Sequence, residues 1–575
     1  MFRFNKILPI LVFFSSLNLT LANYPVSRVF YEYGSPGKDL PSLDPLGSAF
    51  VELGEDEKEV FLDDLIRGAS LIRLLSNKDL FKLSEVPLHF LKERDLEGLV
   101  AFPDPDDIDP VSGEDLRPSG DTSLGIKIWV SRLSAVSVEG EGIGKRQRDR
   151  LSKSVEKYIE RNKLEGKPIT GRTLKTLKKY GDHSSRSSRV LLSADGNPGE
   201  VRAIMKIKQK KKLPNFYFSA SNTGSESTGE WMFSGSYLND QLTGSDDLLS
   251  LSYLFSNTGE RHGINANYFI PLIAPKTLSI GVGAGYSTYD ASTFAATTID
   301  FDGDTFYLDL SMHFAPLSLD GKLGVLSFET GLNFENLSAF NSISGTAGFS
   351  TINPRAGLKL ETFGKNRVGR TSLMIKGNLS SIDEVDQLAI GGDETTDTYT
   401  RLSFQHLEQV RLGKILRQNP AGEHPYLDRH LLSLRMEASW ALSSRRHLPM
   451  HQFITGGSSS VRGYPESIVA GDSGYLFSIE YKIPYFIFDG NAGPLAWSIL
   501  PFLDIGSTRV NDPRFYESSY TLAGAGLGFE FQLPYGAHAR VDFAKPLKEL
   551  QKMGVVMDGT HSGDYRVHGN LGWKF

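Results

Sequence analysis

The sequence has no cysteine in its 575 residues, and its formal net charge at pH 7 is only −6. The absence of cysteine excludes disulfide bonds and thiolate metal sites. A mild net charge over this length argues against a dedicated nucleic-acid binder. Beyond the first 22 residues no apolar run is long enough for a transmembrane helix. No nucleophile is paired with a base, so we expect no enzymatic activity, no cofactor and no metal.

The first 22 residues predict a secretory signal peptide. Arg3 and Lys6 supply the positive charge, residues 7–21 form the apolar segment, and Thr20-Leu21-Ala22 fits a small-residue cleavage site. A membrane anchor is the alternative, but the apolar run is short and is interrupted by serine and asparagine. We therefore expect an exported chain that begins near residue 23.

From residue 213 to the end, apolar and polar residues alternate in segments of nine to eleven residues, among them Phe306 to Phe314, Leu432 to Trp440 and Ala523 to Leu533. One apolar and one polar face would also suit a soluble antiparallel sheet. Soluble strands average about five or six residues, whereas a tilted membrane strand needs about 9–11. The polar faces carry Glu, Arg and Lys, as a water-filled lumen permits. Residues 213–575 therefore predict a closed transmembrane antiparallel β-barrel of about 16 to 18 strands.

The last eleven residues alternate strictly, with Tyr565, Trp573 and Phe575 on one face and Arg566 and Lys574 on the other. An amphipathic strand that ends on an aromatic residue is similar to the targeting strand of bacterial outer-membrane barrels. Trp573 and Phe575 are accordingly the predicted targeting residues. The alternative is the terminal strand of a soluble sandwich.

Residues 133–212 predict a domain of β-α-α-β-β order. A strand at Ala135 to Glu139 precedes a helix through Leu151 and Val155 and a second helix through Leu174. Strands Val190 to Ala194 and Val201 to Lys208 follow, joined by a turn that contains two glycines and a proline. This order resembles that of the POTRA domain, a periplasmic module that offers a sheet edge and a helix groove to unfolded protein.

Residues 23–132 predict a divergent copy of the same domain. We expect a strand at Val26 to Tyr33, helices at Glu59 to Leu75 and Leu88 to Arg94, and strands at Gly98 to Phe102 and Ile126 to Val130. A generic α+β domain is the alternative for this region.

A short motif lies between two of the alternating segments: Val461-Arg462-Gly463-Tyr464. It resembles the VRGY signature of the TpsB family, the pore-forming transporters of two-partner secretion, which include the haemolysin activators. Their superfamily also holds the outer-membrane assembly factors. The resemblance extends over nearly the whole exported chain and implies sixteen barrel strands. One departure is that no amphipathic plug helix precedes the first strand, which begins close to Tyr24.

A second motif, Phe502-Leu503-Asp504-Ile505-Gly506, matches the second barrel motif of that family, in which the aspartate pairs with the VRGY arginine. Alternation along residues 497–507 places Phe502, Asp504 and Gly506 on the lumen-facing side. A guanidinium–carboxylate pair in a partly dry lumen is a strong, oriented contact. The resemblance therefore implies that Arg462 and Asp504 hold the motif loop inside the barrel. The alternative is that Arg462 is a solvated loop charge.

Two groups of possible metal ligands are weak candidates. His447 and His451 are four residues apart, but Pro449 opposes a regular helix, so we expect a strand–loop boundary. Residues 300–304 carry alternate aspartates, yet they lack the distal glutamate of a calcium loop, so we expect a solvated turn. The basic run at residues 206–212 could contact anionic lipid headgroups or be a solvated strand end.

The resemblance implies an outer-membrane pore with periplasmic N-terminal domains that captures an unfolded exoprotein and passes it outward. The expected partners are a secreted TpsA-like protein, the outer-membrane lipid and, during biogenesis, periplasmic chaperones and the barrel assembly machinery. An outer-membrane protein assembly factor is the first alternative. A passive porin is the second, but a porin needs neither POTRA domains nor the VRGY motif.

Overall fold

A computed structural model describes residues 23–575 except 36, 55–57, 69–70, 184, 198, 211–214, 226, 274–276, 292–300, 320–323, 343–344, 365, 391–394, 397, 413–428, 491–492, 515–518, 553, 558, 562 and 575. The predicted signal peptide, residues 1–22, lies outside the described residues. The chain divides into two compact units, Met1–Lys211 and Lys212–Phe575. No helix among the described residues is long and apolar enough to cross a membrane.

The first domain of the N-terminal unit is an α+β fold around a three-stranded sheet in the order β2-β7-β6, with β2 parallel and β6 antiparallel to the central β7. Helix α2 begins with a capping box, in which the Ser76 hydroxyl accepts from the Asp79 N–H and the Asp79 carboxylate accepts from the Ser76 N–H. The elements are β1 Tyr24–Val26, β2 Arg28–Tyr33, β3 Phe50–Leu53, β4 Lys58–Phe61, α1 Leu62–Ile66, β5 Arg73–Leu75, α2 Asn77–Glu93, β6 Leu99–Pro103 and β7 Ser123–Val130.

The helix expected at Glu59 to Leu75 is wrong. This stretch instead contains β4, the five-residue helix α1 and β5. Strand β4 forms a hairpin with β3, in which Phe50 pairs with Phe61 and their ring centroids lie 5.0 Å apart. Cross-strand aromatic pairing and period-two alternation prevailed here over the helical spacing of leucines.

The second domain has the predicted β-α-α-β-β order. Its sheet order is β8-β10-β9, with β10 parallel to β8 and antiparallel to β9, as in the first domain. Both helices pack on one face of this sheet, around buried Leu151, Val155, Leu177 and Met205. The elements are β8 Arg132–Glu141, α3 Lys145–Arg161, α4 Gly171–Gly181, β9 Arg186–Ala194 and β10 Glu200–Gln209.

The C-terminal unit is a closed antiparallel barrel of sixteen strands, which confirms the predicted fold class. Strand β26 pairs with β11 to complete the ring through five residue pairs, from Tyr217 with Lys574 to Ser221 with Asn570. The barrel strands are β11 Phe216–Ser221, β12 Met232–Asn239, β13 Leu248–Ser256, β14 Arg261–Ile273, β15 Leu278–Ala291, β16 Phe301–Leu319, β17 Gly324–Asn341, β18 Gly345–Phe363, β19 Arg367–Gly377, β20 Thr400–Arg411, β21 Leu431–Ala441, β22 Ser473–Gly490, β23 Gly493–Arg509, β24 Tyr520–Gln532, β25 Ala537–Pro546 and β26 Arg566–Lys574.

The two faces of the barrel wall follow the alternation in the sequence. Leu308 and Leu310 on β16 point outward and are 46% and 53% exposed in the isolated chain. The opposite face of the same wall carries charge: Arg355 forms ion pairs with Asp309 and Glu329. Residues 301–304, expected in a turn, instead begin β16, paired with residues 288–291 of β15. An apolar outer face and a charged inner face are what lipid outside and water inside require.

Among the described connections, those after β19 and β21 pack against the inner wall of the barrel. The connection between β19 and β20 contains helix α5, Glu384–Ala389. The connection between β21 and β22 spans residues 442–472 and contains the VRGY motif. Ile382 and Ala389 from the first loop and Leu448 from the second pack with Leu337 and Phe349 of the inner wall. Burial of these apolar side chains inside the barrel holds both loops against the wall.

Candidate functional site

The VRGY motif lies in the loop of residues 442–472, which we call the motif loop. Two short strands on either side of the motif, Phe453–Thr455 and Val469–Gly471, pair with each other in antiparallel fashion. Val461 and Tyr464 have no exposed surface, and they pack in an apolar cluster with Val469 and Leu476. The apolar residues of the motif therefore anchor the loop, so that Arg462 is held in a defined position.

Arg462 makes a bidentate pair with Asp504 of β23. Its Nε donates to Oδ2 at 2.7 Å and its Nη2 donates to Oδ1 at 2.9 Å. The backbone N–H of Arg462 also donates to Oδ2 at 3.2 Å, and the Ser478 hydroxyl donates to Oδ1 at 2.6 Å. Asp504 has no exposed surface and Arg462 is 5% exposed. The two residues that the sequence pointed to are thus in direct contact, in a buried place where such contacts are strongest.

Two further carboxylates share the Arg462 guanidinium. Its Nη1 lies 3.0 Å from Glu480 of β22 and 3.3 Å from Asp542 of β25. Arg540 joins the same two carboxylates, with Nη2 at 2.5 Å from Glu480 and Nε at 2.9 Å from Asp542. These five residues form a network, which we call the lumen charge cluster, with three carboxylates and two guanidinium groups. Such a network fixes a buried arginine better than one pair does, because all three nitrogen atoms of the Arg462 guanidinium donate to a carboxylate.

The family motif on β23 contributes two more contacts. The Phe502 ring lies beneath the guanidinium, with 3.4 Å between Arg462 Cζ and the ring centroid. Desolvated cation–π contacts of this kind are attractive by up to about 2 kcal/mol. Gly506 is small by necessity: a Cβ there would lie 2.8 Å from a methyl group of Val461. Strand β23 therefore contacts the motif loop through the Phe502 ring and leaves room for Val461 at Gly506.

Glycines allow the motif to approach the wall closely. Gly463 has φ of 97°, a left-handed conformation that favours glycine. A Cβ on Gly524 of β24 would lie only 2.0 Å from the carbonyl oxygen of Arg462. The Tyr464 hydroxyl donates to the Lys548 carbonyl at 2.5 Å and accepts from the Ala523 N–H at 3.2 Å. The loop thus contacts the wall through backbone as well as side chains.

A cavity of about 470 Å³ adjoins the cluster and is lined by Arg462, Glu480, Arg435 and Ser459 among others. Arg435 of β21 donates to the Ser459 carbonyl at 2.7 Å, so a further wall strand contacts the loop. The motif loop therefore borders open lumen on one side and barrel wall on the other. Loop movement would change the open cross-section of the pore.

The remaining predicted residues lie elsewhere. Trp573 pairs with Phe218 at the closing seam, and its ring N–H donates to the Tyr535 carbonyl at 2.9 Å. Phe575 lies outside the described residues. His447 and His451 are buried inside the barrel beside Tyr399, whose ring centroid is 5.3 and 4.2 Å from theirs. The described residues contain no group of three His, Asp or Glu that could hold a metal.

Sequence reasoning missed Glu480, Arg540, Asp542 and Ser478. Alternation shows that each faces the lumen, but many lumen residues are charged and alternation does not say which of them meet. Arg540 and Asp542 are two positions apart on β25, with opposite charges on the same face. This pair of opposite charges on the lumen face is the signal in the sequence that could have indicated the network.

Comparisons with known proteins agree with this architecture. A model of the Omp85 superfamily domain matches residues 242–575. CdiB from Escherichia coli is similar in structure, with 17% identity, a TM-score of 0.62 and coverage of 97% of this chain and 92% of that one. CdiB from Acinetobacter baumannii has 13% identity, a TM-score of 0.58 and coverage of 97% and 91%. BamA from Haemophilus ducreyi lacking POTRA domains 1–3 has 14% identity, a TM-score of 0.54 and coverage of 96% and 100%.

No curated protein sequence matches the chain significantly. The structural similarities, at 13–17% identity, establish the fold over almost the whole chain. The superfamily model spans more than half of the sequence and includes the motif loop and every member of the lumen charge cluster. The chain belongs to the Omp85 superfamily.

Proposed function

We propose that this protein is an outer-membrane transporter of the two-partner secretion type, which captures an unfolded exoprotein in the periplasm and passes it through the barrel. The observation that carries the proposal is the lumen charge cluster, in which one loop arginine is bound by three wall carboxylates. The motif loop lies in a polar lumen and is held there by ionic contacts that can break. This arrangement suits a pore that must open for a polypeptide chain and then close again. A passive porin has no use for such a contact.

The N-terminal domains supply the capture surface in this proposal. Their shared sheet topology, together with the β-α-α-β-β succession of the second domain, supports their assignment as POTRA domains. In the described part of each sheet, β6 and β9 pair on one side only, so each has an outer edge open to an added strand. An extended chain gains main-chain hydrogen bonds at such an edge, which gives affinity with little sequence selectivity.

The first domain also has a groove of mixed polarity between the β3–β4 hairpin and α2. Phe50 is 64% exposed at this groove, beside Val51 and Val86. The polar part of the lining consists of Glu52, Glu59, Lys82, Glu85 and His89. The groove volume of about 370 Å³ is enough for a few side chains of an extended peptide. We propose that this groove and the sheet edges bind the exoprotein together.

Secretion measured with and without the cluster tests the function. The protein is co-expressed with a candidate exoprotein, and exoprotein in the medium is compared between the wild type and Arg462→Ala at equal outer-membrane abundance. We expect secretion to fall at least tenfold while the barrel still inserts. Normal secretion by Arg462→Ala would contradict the proposed role of the cluster.

The N-terminal unit provides an independent test. Residues 24–212 should bind the unfolded N-terminal region of the exoprotein with a Kd of about 1 μM, because an extended chain loses entropy as it is ordered on a sheet edge. Titration calorimetry or crosslinking measures this directly. If the N-terminal unit does not bind, while a barrel that lacks it still secretes the exoprotein, the capture mechanism is wrong.

An assembly factor that inserts other barrels is the second candidate, and the similarity to BamA from Haemophilus ducreyi favours it. The two functions differ in what their loss does. Depletion of a two-partner transporter abolishes export of one exoprotein and leaves other barrels at normal abundance. Depletion of an assembly factor lowers many outer-membrane proteins together, which quantitative proteomics of the outer membrane would detect.

A further inference from the structure

The two domains of the N-terminal unit carry opposite charge. Residues 23–132 contain 12 Lys and Arg against 22 Asp and Glu, whereas residues 133–212 contain 21 Lys and Arg against 9 Asp and Glu. The formal charges are therefore −10 and +12, and they cancel in the net charge of the chain. Two neighbouring domains of the same topology but opposite charge are suited to different partners.

The positive charge of the second domain is organised along α3. Arg146, Arg150, Lys153, Lys157 and Arg161 recur at intervals of four, three, four and four residues, which places them in one row on the helix. All five are exposed, and the buried Leu151 and Val155 lie on the other side of the helix. At 1.5 Å per residue the row is about 22 Å long. We call it the basic row.

Acidic residues do not neutralise this surface. Helix α3 has three carboxylates, at Asp149, Glu156 and Glu160, against seven basic residues. The adjacent helix α4 has four basic residues and no acidic one. Within the described structure, Arg146, Lys153, Lys157 and Arg161 have no ion-pair partner. These four residues of the basic row are therefore available to an anionic surface outside the chain.

The second domain exposes almost no apolar surface. Of its large hydrophobic side chains in the described range 133–209, only Leu191, on the edge strand β9, is markedly exposed. The first domain exposes Phe50, Phe61, Leu71 and Ile72, among others. A long row of basic residues with little apolar surface fits hydrated anionic groups in a plane rather than an apolar unfolded segment.

We propose that the basic row of α3 docks the second domain on the anionic phospholipid headgroups of the membrane that holds the barrel. The link to the barrel is short, since β10 ends at Gln209 and β11 begins at Phe216. Seven residue steps span at most about 25 Å, so this domain cannot move far from the membrane surface. The inference rests on the proposed periplasmic position of the domain. Docking would keep the domain at the pore entrance while the acidic first domain stays in solution.

The test uses the full chain in lipid nanodiscs. Because the chain has no cysteine, Ser154→Cys on α3 gives a single labelling site for a donor dye, with acceptor dyes on the lipid headgroups. We expect energy transfer to increase at least twofold from purely zwitterionic lipid to lipid with about 30% phosphatidylglycerol, and to fall again at high salt. Transfer that does not depend on lipid charge would overturn the proposal.

A pair of matched variants locates the docking face. Arg146→Glu, Lys153→Glu and Lys157→Glu together reverse three charges of the basic row, and at about fivefold per charge they should lower the docked-to-free ratio by roughly 100-fold or more. The control is Arg189→Glu, Lys206→Glu and Lys208→Glu, an equal charge change on the sheet face opposite the helices. The control should keep most of the lipid response. Equal loss in both variants would mean that net charge alone acts and that there is no docking face.

Two readouts separate folding and function from docking. Circular dichroism verifies that each variant is folded. If a glutamate variant does not fold, the corresponding glutamine variant replaces it. The glutamine variants of the basic row should still lose most of the lipid response. The transfer assay contains no exoprotein, so its result does not depend on secretion. A wild-type chain that secretes normally but shows no lipid-charge-dependent transfer would refute only the lipid proposal, whereas intact docking without any secreted partner would refute only the transporter proposal.

Discussion

Replacing Arg462 by alanine isolates the contribution of the lumen charge cluster. Asp504 would lose two charge-assisted hydrogen bonds and keep only the Ser478 hydroxyl at 2.6 Å and one backbone N–H at 3.2 Å. Glu480 and Asp542 would still be paired with Arg540. A fully buried carboxylate that loses its partner is destabilised by about 3–5 kcal/mol. At about 1.4 kcal/mol per factor of ten, the loop-in state should therefore weaken relative to a displaced loop by roughly 100- to 5,000-fold.

Planar bilayer recording measures this equilibrium. We expect the wild-type barrel to conduct mostly in a low state and Arg462→Ala to spend far more time in larger, fluctuating states. The matched control is Arg435→Ala, which removes an arginine that also contacts the motif loop but whose side chain is 39% exposed. Because exposed pairs contribute about 0–1 kcal/mol, this control should stay close to the wild type.

A double variant makes the test quantitative. Arg462→Ala combined with Asp504→Ala removes the stranded carboxylate, so it should recover part of the wild-type behaviour, with a coupling of at least about 1 kcal/mol between the two sites. Two results would refute the reasoning. One is unchanged conductance for Arg462→Ala in barrels of normal abundance and fold. The other is an equal effect of Arg435→Ala.

Three further predictions follow from particular residues. Gly524→Ala should displace the motif loop as strongly as loss of the arginine, because its Cβ would lie 2.0 Å from the carbonyl oxygen of Arg462. The control is Gly263→Ala, whose Cβ would have no neighbour closer than 3.8 Å, and the two variants are compared by conductance. Trp573→Ala should lower the outer-membrane abundance of the protein, measured by immunoblot of membrane fractions, and wild-type levels would count against a targeting role. Although burial raises the pKa of Asp79, hydrogen bonds from Ser76 and from a second backbone N–H lower it overall. Its stabilising effect is therefore present above the unfolded-state pKa of about 4 and is lost as pH falls below it. Hydrogen exchange in α2 should show this loss in the wild type and a flatter pH dependence in Asp79→Asn.

The sequence predicts the barrel well because membrane and lumen impose a strict rule on every strand. Each residue of the wall faces either lipid or water, so period-two alternation marks the strands without knowledge of their neighbours. The β-α-α-β-β order of residues 133–212 is equally readable, since each helix has a clear apolar face. The failure at Glu59 to Leu75 is of another kind: short elements were joined into one helix because leucine spacing alone cannot separate a hairpin from a helix of similar composition.

The candidate site is predictable only in part. Arg462 and Asp504 could be named because two motifs and alternation point to them. Glu480 and Arg540 could not, because their meeting depends on the stagger of strands that are far apart in the sequence. The packing of α5 and of the histidines at 447 and 451 inside the lumen was likewise hidden, since a loop that folds inward has the composition of one that faces solvent.

The seam between β11 and β26 has a consequence for how the barrel is made. Tyr217 and Lys574, which pair there, are 357 positions apart in the sequence, and the seam has only five residue pairs, whereas β16 and β17 share seventeen. The seam joins strands that are far apart in the sequence and has few residue pairs. We expect it to form after the local hairpins, because closing so long a loop costs entropy that few hydrogen bonds offset. Until then the growing sheet has two free edges, which are templates for aggregation. The last step of barrel folding is therefore also the one at which the chain most needs protection.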